Sequence, residues 1–266
     1  MNRTGPAFPQ PLIFNLNQPQ TVRGMTILNL GCGTKASSHS TVINYDWSVY
    51  LRIRKNPVLR MLAPVLLRGV RRERFRNLPE NVVCHNLAKG IPHQDNSVDA
   101  VYHSHLLEHL DRPVGLQFIK EVYRVLKPGG IHRIVIPDLE VLCRAYLDHL
   151  DLCRRDGSQI IHHEERIADI IEQCVRREGV GATEQSPFRR KLDNLILGDA
   201  RQRGETHQWM YDSVNLATAL TAMGFRNPVT MTFHTSGIPD WREIGLDLNP
   251  DGTCYKANSL YMEAMK

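Results

Sequence analysis

The sequence predicts an α/β fold, in which a mostly parallel seven-stranded sheet carries helices on both faces and a helical cap is inserted late in the chain. Three observations predict it. Short apolar runs stop at turn residues, amphipathic helical periods fall between them, and a long charged stretch interrupts the series after Asp138.

Taken in order, residues 1–24 show no period and read as an arm. Residues 25–30 form an apolar run that stops at Gly31-Cys32-Gly33, the form of a buried strand ending in a tight turn. Residues 41–46 read as a second strand ending in an acid, 81–87 as a third and 97–102 as a fourth. Asp111 can cap a helix with Pro113 in its first turn, and Gly115, Phe118, Ile119, Val122, Val125 and Leu126 recur on one face of it. Lys127-Pro128-Gly129-Gly130 stops that helix, and residues 131–136 are a fifth strand. Strands and helices in this alternation imply a parallel sheet covered on both faces. The cap follows, then a helix over 213–223 and two closing strands, 229–234 and 259–264, which suit an antiparallel hairpin at the sheet edge. The chain thus divides into an arm (1–24), a core segment (25–138) with a basic insertion (48–78), a helical cap (139–205) and the end of the core sheet (206–266).

At 266 residues, 42% apolar and 23% charged, the chain can bury one large core and has the balance of a globular protein rather than a disordered or fibrous one. No apolar run approaches the ~18 residues of a membrane span, and the polar, proline-dotted start is unlike a secretion signal. A cytoplasmic protein without integral membrane association is expected. The six cysteines are scattered with no C-x-x-C pair, which suggests reduced thiols and no metal site. Between Leu51 and Arg76 nine basic residues stand against Glu73 alone, so this segment carries +8 and the rest of the chain −3 of the net +5. A chain that coats nucleic acid along its whole surface is thereby disfavoured.

Gly31-x-Gly33-x-x-Ala36 after a strand formally matches a dinucleotide-binding turn, where a missing Cβ lets a ligand approach the backbone. Asp46, at the end of the next strand, is placed to accept hydrogen bonds from two ribose hydroxyls. It follows Gly33 by 13 residues, against the ~20 of a dinucleotide fold, which supports adenosine and not pyrophosphate.

Asp95-Asn96-Ser97-x-Asp99, Leu107-Glu108-His109-Leu110 and Arg124-Val125-Leu126-Lys127-Pro128-Gly129-Gly130 follow in that order and at the right separations. With them the stretch from Thr26 to Asp138 resembles the class I S-adenosylmethionine-dependent methyltransferases of the small-molecule kind, which implies a Rossmann-like sheet and S-adenosyl-L-methionine as cofactor. Gly204-x-x-His207-Gln208-Trp209-Met210-Tyr211-Asp212, then Gly224-Phe225, and the closing Ser259-Leu260-x-x-Glu263-Ala264, are similar to predicted methyltransferases of surface-sugar and natural-product pathways. Carried over, the resemblance sets Gly31, Cys32 and Gly33 against the methionine part, Asp46 on the ribose and Trp47 over the adenine. Asn86 stands where such families often have an acid for the adenine amino group, able to accept through its side-chain oxygen, and the Leu87 backbone can meet the ring. Thr34-Lys35-Ala36 replaces the usual third glycine.

The loop read after the fourth strand supplies His103, Ser104, His105, Glu108 and His109. A sulfonium methyl is already electrophilic, so the chief tasks are alignment, exclusion of water and, for a hydroxyl acceptor, a general base. His105 is the preferred base, since strand alternation turns either His103 or His105 toward the methyl. Ser104 also occupies the place where nucleic-acid amino-methyltransferases begin N-P-P-Y, and that motif is absent. His207 and Tyr211, four apart, would share a helix face into the pocket or anchor the cap. His162-His163-Glu164-Glu165 has no third ligand at a meaningful spacing and reads as a solvated helix face. The basic segment reads either as an amphipathic insertion covering the sheet or as a dock for an anionic small-molecule acceptor.

The expected activity is O-methylation of a metabolite, sugar or natural-product intermediate by direct displacement. Two alternatives stay open: a non-methylating enzyme that releases methylthioadenosine from the same cofactor, and a non-catalytic cofactor-binding partner protein. A homodimer is compatible with the sequence.

Overall fold

The structure, a computed structural model, describes residues 24–174 and 206–266. The arm up to residue 23 and the part of the expected cap at 175–205 lie outside the described residues. Seven strands form one sheet: β1 (Ile27–Leu30), β2 (Val42–Asp46), β3 (Val82–Cys84), β4 (Val98–Ser104), β5 (Leu126–Pro137), β6 (Arg226–Met231) and β7 (Ser259–Met265). Their order is β3-β2-β1-β4-β5-β7-β6, parallel from β3 to β5, with β7 antiparallel to both β5 and β6. This is the Rossmann-like, mostly parallel sheet that the strand alternation predicts. The chain reverses its winding direction between β1 and β4, the place where open α/β sheets leave a crevice at the carboxyl ends of the strands.

Period-two alternation sorts the strand residues into two cores. Leu28, Leu30, Val101, Ile134, Ile136, Leu260 and Met262 face α4 (Arg112–Val125) and, after the cap, the helix Ser213–Ala222. Ile27, Ala100, Tyr102, Val135 and Tyr261 face the opposite way, toward Ile238, Trp241 and Ile244. That second core holds a buried polar knot. Arg133, fully buried, donates from Nε to Asp247 Oδ2 at 2.8 Å and from Nη1 to Glu263 Oε1 at 2.7 Å, with its guanidinium 4.6 Å from the Trp241 ring.

Several boundaries differ from the sequence reading. β4 runs on through His103 and Ser104, because both keep their parallel partners Ile134 and Val135 in β5. β5 begins at Leu126, so the Lys127-Pro128-Gly129-Gly130 stretch that ends α4 is already strand. Gly130 has to be glycine: a Cβ there would stand 2.9 Å from the carbonyl oxygens of Asp99 and Lys127. β3 ends at Cys84, since Asn86 caps a 3₁₀ turn over Leu87–Lys89 by accepting the Ala88 N–H at 3.0 Å. β6 starts three residues early at Arg226, which pairs with Met265, and tolerates Pro228 because it is an edge strand with an irregular register there.

The basic insertion forms α1 (Val49–Lys55), α2 (Pro57–Leu66) and α3 (Val70–Arg76). Pro57 takes the first helical position of α2 and Pro64 lies inside it without ending it. Only Ile53, Ala63 and Leu67 are buried in its satellite core, whereas Val58, Leu59, Met61, Leu62 and Val65 are exposed. The reading of α2 as an apolar cover for the sheet is therefore corrected. The described part of the expected cap is a helical hairpin, α5 (Leu139–Arg155) and α6 (His163–Cys174), joined by a 3₁₀ turn at Gly157–His162. Among the described residues no helix is long and apolar enough to cross a membrane. The helix Ser213–Ala222 is α7, and Trp241–Ile244 is α8.

Candidate active site

The carboxyl ends of β1, β2 and β4 lie side by side, with Leu30 level with Tyr45 on one flank and His103 on the other. Gly31 and Gly33, which follow β1, both have positive φ, +66° and +54°, a backbone form that side chains disfavour. A Cβ on Gly33 would meet nothing within 4 Å, so the turn presents open backbone, whereas a Cβ on Gly31 would come within 2.9 Å of Leu106 Cδ1. The glycine turn and the loop after β4 therefore form two walls of one crevice. The turn is riveted from below by two buried amides that the sequence did not single out. Asn29 Nδ2 donates to Asn44 Oδ1 at 2.9 Å and to the Lys35 carbonyl at 3.0 Å, while Asn44 exchanges hydrogen bonds with the Ser37 backbone.

The Cys32 side chain turns away into a small core with Leu51 and Val82, and burial pushes its thiol up to about 12, so it is an inert apolar group there. Asp46 is buried at the tip of β2, where Oδ2 accepts the Ser48 N–H at 3.2 Å and Oδ1 takes part in no other described hydrogen bond. Trp47 is exposed next to it, with the Arg52 guanidinium 4.9 Å from its ring centre. The Asn86 side-chain oxygen accepts the Ala88 N–H at 3.0 Å, which leaves its second lone pair and the amide N–H₂ to meet a ligand. Leu87 packs half-buried against the main core. An adenosyl sulfonium fits this half of the crevice: open glycine backbone for its tail and a buried carboxylate with an unspent oxygen for its ribose.

Across the crevice the histidines separate. His103 is fully buried within β4, its Nε2 3.0 Å from His132 Nε2 and its ring against Phe118; burial holds it neutral, down to about 3. It belongs to the core, whereas His105 lies just past the end of β4 and turns out of the strand's alternation to the crevice. Ser104, half-buried, closes the strand. His105 takes φ +50°, in the left-handed region, with its backbone N–H donated to Val135 at 2.8 Å. Such strain in a β-carbon residue at a strand tip fixes the direction of the side chain. Its Nε2 lies 2.9 Å from Ser259 Oγ and its Nδ1 3.4 Å from Glu108 Oε1.

Glu108 sits in a 3₁₀ turn, Leu107–His109, with its carboxyl 1% exposed and neither oxygen hydrogen-bonded among the described residues. Burial pushes it up to about 8, so it holds a proton at neutral pH; burial, assisted by Lys256 and the neighbouring histidines, holds His105 down to about 3. The Glu108 carbonyl accepts the Gln208 N–H at 2.7 Å, which brings the segment around His207 back to the loop after β4. His109 Nδ1 donates to the Thr206 carbonyl at 3.1 Å, leaving the Nε2 lone pair 3.9 Å from Glu108 Oε1, and its ring is 4.7 Å from that of His207. Glu108, His109 and His207 each offer one donor atom within 4.8 Å of the others. The expected helix carrying His207 and Tyr211 is absent. Residues 207–210 have no helical structure, and Tyr211 is bridged to Asp138 with its side chain 3% exposed in the main core; the helix starts only after Asp212, which caps it. The place of Ser259 and Lys256 beside His105 escaped sequence reading because they come from the far end of the chain.

Residues 28–134 match the family described as Methyltransferase domain. No curated protein matches the chain. Among solved structures it is similar to a SAM dependent methyltransferase from Archaeoglobus fulgidus, at 14% identity and TM-score 0.39 over 91% of this chain and 87% of that one. It is likewise similar to the YcgJ protein from Bacillus subtilis, at 14% identity and TM-score 0.39 over 91% and 92%. A third, a SAM dependent methyltransferase from Aquifex aeolicus, shares 14% identity at TM-score 0.36 over 91% and 82%. With that match spanning β1 to β5 and its signature turns in place, the chain carries a methyltransferase domain of the class I S-adenosylmethionine-dependent kind over residues 28–134.

Proposed function

We propose that the chain methylates a hydroxyl oxygen of a small metabolite, sugar or natural-product intermediate, acting in the cytoplasm, where its unpaired thiols stay reduced. One observation carries the reading: His105, strained and half-buried beside the buried Glu108, is joined through Leu106 to the Gly31 turn, so a base candidate borders the cofactor side of the crevice.

In this reading Gly31, Gly33 and the Cys32 backbone hold the methionine part of the cofactor, Asp46 the ribose, and Trp47, Asn86 and Leu87 the adenine, with Ser104 at the floor. The bound sulfonium supplies an electrophilic methyl group. His105 orients the acceptor hydroxyl at Nε2, in the place now held by Ser259 Oγ. With Glu108 protonated, His105 is a weak base; once Glu108 ionises, its carboxylate 3.4 Å from Nδ1 favours the imidazolium, and the pair can take the hydroxyl proton. His109 and His207 border Glu108 and screen it from water, and Tyr211 packs in the main core nearby. The exposed arginines of α1 to α3 favour an anionic acceptor such as a nucleotide-sugar or a phosphorylated carrier.

The test is incubation of the purified chain with S-adenosylmethionine and metabolite pools, with identification of the nucleoside released. S-adenosylhomocysteine together with a methyl ether is the expected outcome. Methylthioadenosine, or methyl on nitrogen or carbon, overturns the reading.

A further inference from the structure

We infer that His149, Cys153 and His163 form a binding site for a zinc-class divalent metal that clips α5 to α6. His149 and Cys153 are four residues apart on one face of α5, and His163 faces them from the first turn of α6. His149 Nδ1 lies 3.2 Å from His163 Nδ1 and 3.4 Å from Cys153 Sγ, and the three donor atoms all lie within 4.8 Å of one another. A tetrahedral zinc ion, with Zn–N about 2.0–2.1 Å and Zn–S about 2.3 Å, sets its ligand atoms about 3.3–3.6 Å apart. The two separations, 3.2 and 3.4 Å, lie within about 0.2 Å of those values.

Hydrogen bonding alone does not account for the arrangement. A ring nitrogen carries either one hydrogen or one lone pair, so His149 Nδ1 cannot serve both the His163 nitrogen and the Cys153 sulfur in the plane of its ring. A cation between them satisfies all three. Two imidazoles and a thiolate are borderline-to-soft ligands that select zinc, cobalt or copper over magnesium or calcium, which ask for oxygen.

The position also explains why such a clip is useful. No side chain of α5 is buried, nor is any described side chain of α6, and Leu147, Leu152, Ile160 and Ile161 are exposed. The hairpin therefore lacks an apolar core of its own. A metal bridging residues 14 positions apart would hold the two helices together by restricting the loop between them. The cluster is separate from Glu108, His109 and His207, which contain no thiol.

The full chain, reduced and stripped with a chelator, is titrated with Co²⁺ and then Zn²⁺. The expected result is one equivalent bound with a thiolate-to-cobalt charge-transfer band and the visible bands of four-coordinate cobalt, bleached by zinc. Cys153→Ser should abolish the charge-transfer band, and His163→Ala should weaken binding at least tenfold, both with S-adenosylmethionine affinity retained as proof of folding. Should either variant fail to fold, alkylation of the unaltered chain decides: zinc should slow modification of Cys153 at least tenfold, read on its peptide by mass spectrometry. A missing thiolate band, a band that survives Cys153→Ser, or equal alkylation of Cys153 with and without zinc overturns the site.

Discussion

His105 Nδ1 stands 3.4 Å from Glu108 Oε1, and burial leaves both groups uncharged at neutral pH: the carboxyl is held up at about 8 and the imidazole down at about 3. Two groups that would form an ion pair in water are thus kept as a neutral acid beside a neutral base. In the proposed reaction the basicity of the pair then depends on when the carboxyl lets go of its proton. Methyl transfer should rise with pH through about 8. In Glu108→Gln, which cannot ionise, kcat/KM should fall about 10²-fold or more and lose that limb. A pH–rate profile on both proteins checks this.

The same groups set the pH dependence of stability. Glu108 keeps, up to about pH 8, a proton that the unfolded chain releases near its usual 4.5, so its contribution to stability is lost as pH rises across that window. His103 and His105 refuse, down to about pH 3, a proton that the unfolded chain takes up near 6.5, so their contribution is lost as pH falls. Thermal stability should therefore peak near pH 6.5. Glu108→Gln should remove the decline above the peak, as scanning calorimetry from pH 4 to 9 (roughly) would show.

Asp46→Ala tests the cofactor half of the crevice. Hydrogen bonds to a charged acceptor contribute about 1.5–3 kcal/mol, so the dissociation constant for S-adenosylmethionine should rise about 10–100-fold, measured by calorimetry. Unchanged affinity would remove Asp46 from the ribose.

Gly31→Ala should destabilise the chain by about 1–2 kcal/mol, because alanine is strained at φ +66° and its Cβ would push into Leu106. Since Leu106 precedes the Leu107–His109 turn that carries Glu108, the variant should lose turnover as well as stability, whereas Gly33→Ala, with open space around it, should lose chiefly cofactor affinity. Denaturant melts and cofactor titration separate the two effects.

Arg133→Met leaves Asp247 and Glu263 buried without their cation. A cost of about 3–5 kcal/mol in chemical denaturation is expected, with the remaining fold keeping its affinity for the cofactor wherever it persists.

The succession of strands and helices along the chain, the glycine turn after β1, Asp46 at the end of β2 and the loop of Glu108 were legible in the primary structure because each is a local pattern. Apolar period, turn chemistry and motif spacing act over a dozen residues and need no distant partner. What could not be read there depends on pairings across the sheet. Continued pairing with β5 extends β4 and so buries His103 while leaving His105 exposed to the crevice. Arg133 meets Asp247 across 114 positions, Ser259 reaches His105 across 154, and His163 meets His149 and Cys153 only once α6 folds back on α5. Side chains so far apart in the chain have no spacing rule between them; close packing of the sheet and its flanking helices alone puts them within bonding distance.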